Sequence, residues 1–255
     1  MIGAALGFGL SGGGLLGLVG GGGSILAVPA LVYGVGMPLS AAIPSSLVVV
    51  GASSTMAVLP RIRRDVDWRL ALVIGVTGGA TAFAGTAVNS LMDQQVLLIV
   101  FAAIMVLAGI RMLLPVGSRA GHDIAADGTI IWRRRLPKAV ATGIVVGFLT
   151  GLLGVGGGFL IVPALALVLG LPMTTAVGTS LVIVVVNSLG GFISHIGNLD
   201  LDWALTGAFA GTAMVASYIA GHIGRSLPER VLKRGFASLV FVVAAYVVAR
   251  VVLAF

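Results

Sequence analysis

The run VLLIVFAAIMVLAGI at residues 96–110 has no charged side chain, and apolar stretches of this kind recur along the whole chain. Only 9% of the 255 residues are charged, against about 25% in an ordinary soluble domain. Such a chain cannot cover itself with a hydrated surface, so it reads as an integral membrane protein. The runs approach the ~20 residues that a spanning helix needs and lack the alternation of barrel strands. Lipid offers backbone groups no partner, so an all-α polytopic bundle is expected.

The chain also repeats itself. Placing residue 17 on residue 151 aligns GLVGGGGSILAVPALVYGVGMPLSAAIPSS with GLLGVGGGFLIVPALALVLGLPMTTAVGTS without a gap, and nearly half the positions are identical. DVDW at 65–68 answers DLDW at 200–203, one insertion later. A period of this length marks duplication of half a protein, not a short solenoid repeat. The chain therefore divides into a first membrane repeat, 1–114, a basic linker, 115–138, and a second membrane repeat, 139–255.

Apolar segments fall at 3–19, 24–36, 39–59, 68–89 and 93–114 in the first repeat. In the second they fall at 139–153, 159–170, 173–194, 203–223 and 231–254. The last three of each repeat are long enough to cross about 30 Å of hydrocarbon at ~1.5 Å per residue. The second is too short to cross upright and the first is marginal, which gives 8–10 membrane segments. Each short pair either crosses twice, tilted, or forms a hairpin that enters and leaves by one face.

Loop charge predicts orientation. Arg61, Arg63, Arg64 and Arg69 follow the third segment, whereas the equivalent loop of the second repeat has only His195, Asp200 and Asp202. The next loop reverses this: Ser90 to Gln95 is free of basic residues, and its counterpart offers Arg225, Arg230, Lys233 and Arg234. The linker holds Arg119, Arg133, Arg134, Arg135 and Lys138. Positive residues favour the cytoplasmic side, so the expectation is two inverted repeats in the cell inner (plasma) membrane, with the linker cytoplasmic and both termini outside. Met1 leads into apolar sequence without a basic flank, so no cleavable signal peptide is expected.

Inverted repeats that carry short, Gly/Pro-interrupted segments at matching places point to a transport site near the midplane. A helix restarted inside the membrane presents unpaired N–H groups with partial positive charge, and glycine leaves them open to close approach. The candidate backbone contacts are Gly20, Gly22, Gly23 and Ser24 in the first repeat, with Gly154, Gly156, Gly157 and Gly158 in the second. A small anion suits two such N-termini; close helix packing is the plainer use of the same glycines. Ser45 and Ser46 match Thr179 and Ser180. Their hydroxyls can donate to substrate oxygens or back to carbonyls one turn earlier. Asn187, costly to leave in lipid, is expected to face the bundle interior.

Other chemistries are poorly supported. The formal charge of +7 sits in short loops, where positive-inside bias accounts for it better than a nucleic-acid partner. Cysteine is absent, so no disulfide or thiolate site is available. HExxH does not occur and only three histidines are present, which argues against an enzyme and against a cofactor or metal. The apolar segments lack the carboxylates of a cation relay. The DxDW pairs fit helix starts, with Asp capping and Trp at the interface.

GLLGVGGGFLIVPAL followed by GLPMTTAVGTSL, with the first copy GLVGGGGSILAVPALVYGVGMPLSAAIPSSL at the same spacing, resembles the signature of the TauE/SafE family. The resemblance covers essentially the whole chain. The first copy departs from it at IPSSL, where Pro44 stands opposite Gly178. The resemblance implies a cofactor-independent secondary transporter, or permease, for small sulfur-containing anions such as sulfite, sulfoacetate or related organosulfonates. The alternative is a passive anion channel or a membrane partner subunit without transport of its own. Which anion, the direction of movement, the coupling ion and any homo-oligomer stay open.

Overall fold

A computed structural model describes residues 2–21, 27–28, 30–34, 36–89, 91–114, 132–153, 158–195 and 202–253. Regular structure in these residues is entirely helical. The first repeat holds α1 (Ile2–Val19), a π-helical turn (Ala30–Gly34), α2 (Leu39–Val58), α3 (Trp68–Asn89) and α4 (Gln94–Leu113). The second holds α5 (Trp132–Leu153), α6 (Gly158–Leu167), α7 (Met173–His195), α8 (Trp203–Ser226) and α9 (Glu229–Leu253). Among the described residues, seven helices are long and apolar enough to cross a membrane: α2, α3, α4, α5, α7, α8 and α9. At 10 residues, α6 covers about 15 Å, half the hydrocarbon thickness. The expected segment 24–36 contributes only the π-helical turn and Ala27–Val28. Because α5 begins at Trp132, the last residues of the basic segment 115–138 are already helical.

Both repeats end their short segment in the same way. Gly36 and Gly170, equivalent in the alignment, have φ of 80° and 64°, a conformation that glycine adopts without a Cβ penalty. The Met37 N–H donates to the Leu31 carbonyl at 3.0 Å and the Leu171 N–H to the Leu165 carbonyl at 3.2 Å. This six-to-one closure satisfies a terminal carbonyl that lipid could not. Pro38 and Pro172 follow and stop the old helix, and their carbonyls accept the first N–H bonds of α2 and α7.

The repeats interlock. The two most extensive helix pairings are α3 with α5 and α1 with α8, so each repeat sends its first helix onto the fourth helix of the other. A ladder of three glycines at four-residue spacing makes each contact: Gly9, Gly13 and Gly17 on α1, and Gly143, Gly147 and Gly151 on α5. These ladders occupy equivalent positions in the duplication. Gly9 lies against Thr212, Gly13 against Ala213 and Gly17 against Ser217. In the other pair Gly143 lies against Thr77, Gly147 against Gly78 and Gly151 against Ala82. Numbers rise together in both pairs, so the helices run parallel. A Cβ at any of the six would come within 3.0 Å of a neighbouring atom. Small residues bring backbones this close, and dispersion and interhelical hydrogen bonds then hold them where lipid gives no hydrophobic drive. The Ser217 hydroxyl adds a bond to the Gly13 carbonyl at 2.8 Å, and Thr81 adds one to the Ile144 carbonyl at 3.1 Å.

The equivalent helices α2 and α7 cross each other, with Leu47 against Gly191 and Gly51 against Ser188. Their numbers run in opposite directions, so α2 and α7 are antiparallel. Ser45 meets Thr206 and Ala57 meets Gly221, which makes α2 parallel to α8. The other self-equivalent pair, α4 and α9, packs along one flank, with Phe241 closing over Gly109.

The glycine ladders set a stability expectation. In Gly147→Leu the side chain is driven into the Gly78 backbone, and overpacking of this kind costs about 1–3 kcal/mol or more. Gly7→Ala, with nothing within 4 Å of the new carbon, serves as the neutral control. Thermal unfolding in detergent should show a clearly lower midpoint for Gly147→Leu and Gly13→Leu and none for Gly7→Ala. Equal midpoints throughout would show that the ladders do not hold the repeats together.

Candidate functional site

The described ends of the two glycine runs meet. At the end of α1 the Gly20 N–H donates to the Leu16 carbonyl at 2.8 Å, and Gly20 has a φ of 80°. The chain turns sharply there, as left-handed backbone at a helix end allows. A Cβ at Gly21 would collide with the carbonyl of Gly158 and come within 3.0 Å of the Phe159 N. The first break therefore lies directly on the N-terminus of α6. Gly158 is fully helical there, as the first residue of α6, and α6 is buried along nearly its whole length.

α7 closes the third side. The Ser180 hydroxyl lies 2.8 Å from both the Gly20 and the Val177 carbonyls and donates to them as a shared bond. A Cβ at Gly20 would stand 3.0 Å from the Ser180 Oγ. The hydroxyl bonds back along its own helix, one of the two uses expected of it, and also ties the opposite repeat's break. Thr179, beside it, accepts from the Asp67 N–H at 3.0 Å. Gly178 lies against the Asp65 carbonyl with no room for a Cβ, so the threonine positions the start of α3.

The first-repeat counterparts are arranged differently. Ser45 is fully buried and accepts from the Thr206 hydroxyl at 3.0 Å, which joins α2 to α8. Ser46 donates to the Ile43 carbonyl at 2.7 Å, the back-bond usual for serine in membrane helices. Asn187 is half-buried on α7, two turns or about 10 Å beyond Ser180, and is not gathered at the breaks. Gly22, Gly23, Ser24, Gly154, Gly156 and Gly157 lie outside the described residues. Of the expected contacts, the structure brings Gly20, Gly158 and Ser180 together.

A cavity of about 350 Å³ opens beside the first break. Leu16 and Ala27 line it from either side of residues 20–26, with Val49 and Ser53 from α2 and Phe209 and Ala213 from α8. The repeat places Ile161, Ile183 and Ile74 at the positions of Ala27, Val49 and Phe209. Those three isoleucines are at most 3% exposed and belong to the main core. Ala27, Val49 and Phe209 are themselves at most 6% exposed, so the cavity on the first-repeat side is a void among buried residues.

Charge collects at one end of the bundle. The Arg225 guanidinium, at the end of α8, donates to the Pro60 carbonyl at 2.7 Å. Arg135, near the start of α5, lies 3.8 Å from Asp67, and Arg69 stacks over the Trp132 ring at 5.8 Å. These contacts bring the loops after α2, after α8 and before α5 to one end. The DxDW motifs act there and at their counterpart as helix caps: Asp67 accepts from the Leu70 N–H at 3.1 Å and Asp202 from the Leu205 N–H at 3.0 Å. Trp68 and Trp203 are exposed beside them, as interface anchors are. No group of three or more His, Cys, Asp or Glu fit for a metal occurs among the described residues.

Arg61 is the feature that reading the sequence missed. Its place in a basic loop suggested a solvated charge, yet it is 1% exposed. The residue that admits it, Gly224 on α8, is more than 160 positions away and carries no side chain, so no local signal marks the pair.

The model of the family described as "Sulfite exporter TauE/SafE" matches residues 5–247. A "Probable membrane transporter protein" of Xylella fastidiosa (strain 9a5c) is 34% identical over 243 residues, covering 92% of this chain and 90% of that protein. The "Probable membrane transporter protein YunE" of Bacillus subtilis (strain 168) is 28% identical over 236 residues, covering 84% and 85%. "Probable membrane transporter protein YdhB" of the same strain is 24% identical over 220 residues, covering 86% and 89%. No solved structure matches. With the family model covering nearly the whole chain and seven helices fit to span a bilayer, the protein is a multi-pass membrane transporter that belongs to the TauE/SafE family.

Proposed function

We propose that the protein is a secondary transporter of small sulfur-containing anions, sulfite or a sulfonate, held between the two glycine breaks. The observation that carries this reading is the seating of Gly21 on the N-terminus of α6, with Gly20 beside it held against α7 by Ser180. A helix start buried inside the bundle carries partial positive charge and N–H groups without intrahelical partners. Glycine on both sides lets an oxyanion reach them. The sulfur comes from the family description, since the same cradle would suit any small oxyanion of similar size.

The movement we propose is alternating access by inverted repeats. Antiparallel crossing of α2 and α7 supports inversion, because repeats related by an axis along the membrane normal would set equivalent helices parallel. The gathering of the loops around Arg61, Arg135 and Arg225 supports a cytoplasmic placement of that end. The cavity beside the first break and the packed isoleucines beside the second are the two environments that an exchange of roles would interconvert. Each repeat would then open its own side in turn, with the anion staying near the junction of the breaks. A saturable carrier is favoured over a passive pore because Ile74, Ile161 and Ile183 are packed into the main core.

Because the chain has no cysteine, single cysteines report topology without background. Leu91→Cys should be labelled by an impermeant maleimide from outside the cell, and Ser226→Cys only after the membrane is opened. Labelling of both from the same side would contradict the inverted arrangement. In proteoliposomes, sulfite flux should saturate and be driven by an opposing sulfite gradient. Gly23→Leu and Gly157→Leu should abolish it in protein that remains folded. Ser180→Ala, which loses a bond to the Gly20 carbonyl worth about 0.5–1.5 kcal/mol, should slow it severalfold. Normal flux in the two leucine variants would place the site elsewhere.

A further inference from the structure

Arg61 closes the 3-10 turn that ends α2, and its side chain is turned inward. Its Nε and Nη1 are buried without a hydrogen-bond partner; Asp65 is the opposite charge that acts on it, but no salt bridge joins the two and the Asp65 Oδ2 is likewise buried and unbonded. A Cβ at Gly224 would lie 2.5 Å from the Arg61 Nη2 and 3.5 Å from the Leu18 Cα. The guanidinium therefore sits where the end of α8 meets the end of α1, and Leu18 is two residues before the Gly20 turn. An arginine kept for structure alone would spend its fork on the carbonyls that helix ends expose. Here two of the donors are buried and unused, and Asp65 offsets the charge only through space, without a hydrogen bond to it.

We propose that Arg61 forms a second oxyanion subsite, on the basic-loop side of the glycine junction, which takes the anion as it passes between the junction and that end of the bundle. The inference rests on the anion-transport reading and adds to it a charged contact. The ligand class is a small oxyanion with at least two oxygens in one plane. Nη1 and Nη2 at the end of the guanidinium form a planar fork that matches two such oxygens, as a lysine ammonium cannot. Gly20 and the α6 N-terminus offer only partial charges, so a full positive charge next along the route would draw the anion off the cradle. The subsite is dry and closed in the described arrangement, with the cavity on the first-repeat side. It becomes reachable when α1 and α8 part at Leu18 and Gly224.

The test uses full-length protein in nanodiscs and proteoliposomes, with sodium sulfite as probe and sodium sulfate as a second oxyanion. Arg61→Gln should raise the half-saturating sulfite concentration about tenfold or more, the loss expected of one charge-assisted contact, while maximal flux changes little. Arg61→Lys should fall between the two, and Arg64→Gln, an exposed charge in the same loop, should match the wild type. In protein with ¹⁵N-labelled arginine, the Arg61 Nε–H signal, assigned by its absence in Arg61→Lys, should move as sulfite is added. This arm needs no Arg61→Gln protein and holds if that variant fails to fold. An unmoved signal, or an unchanged half-saturation in folded Arg61→Gln, would overturn the subsite while sulfite flux in the wild type leaves the transport reading standing. A signal moved by either anion in protein that carries neither would uphold the subsite and contradict the transport reading.

Discussion

A backbone that stops being helical inside lipid must find protein partners for its N–H and C=O groups, and this requirement organises the whole molecule. Both repeats carry a short segment whose described ends bond several of the released carbonyls to protein. The Gly20 carbonyl takes the Ser180 hydroxyl of the opposite repeat. The short segments are closed by matching six-to-one bonds before Gly36 and Gly170. Neither repeat could do this alone, because the hydroxyl that ties the first break stands on α7. Interlocking follows: α1 must lie deep in the second repeat, and the Gly9–Gly13–Gly17 ladder lets it pack there. The same holds for α5 in the first repeat.

Symmetry of backbone coexists with asymmetry of filling. The ladders, the left-handed glycines and the DxDW caps recur in register in the two repeats. The side chains beside the breaks do not, since Ala27 and Val49 stand opposite Ile161 and Ile183. A cavity lies among the first-repeat set, which also includes Phe209 opposite Ile74, and the three isoleucines belong to the main core. Under the alternating-access proposal, the two repeats would exchange these environments. The polar contacts that join Arg225 to Pro60 and Arg135 to Asp67 sit where such a change would have to loosen one end.

Much of this was legible in the residues because lipid narrows the choices. Charge scarcity and run length specify helices, and a gapless duplication pairs them. Segment ends at 68–89 and 173–194 agree with α3 and α7 to within a residue, since Asp caps and Gly-Pro turns mark them locally. The glycine ladders were present in the letters but hidden among other glycines, because only the partner helix distinguishes a packing glycine from a lipid-facing one. Gly7 and Gly13 look alike in sequence and differ wholly in surroundings. The hydroxyls were ambiguous for a related reason: Ser46 bonds within its own helix, Ser45 and Thr179 take bonds from the opposite repeat, and Ser180 does both. Arg61 was unreadable, because its burial depends on a missing side chain at Gly224.

The central claim is that one anion lies between the two breaks. The most direct measurement is a density map of the protein in nanodiscs at saturating sulfite, compared with a map without it. The account predicts new density touching the backbone of residues 20–24 and 154–158, within reach of the α6 N-terminus. Sulfite density confined to the basic loops, or none at the junction in protein that carries sulfite, would contradict it.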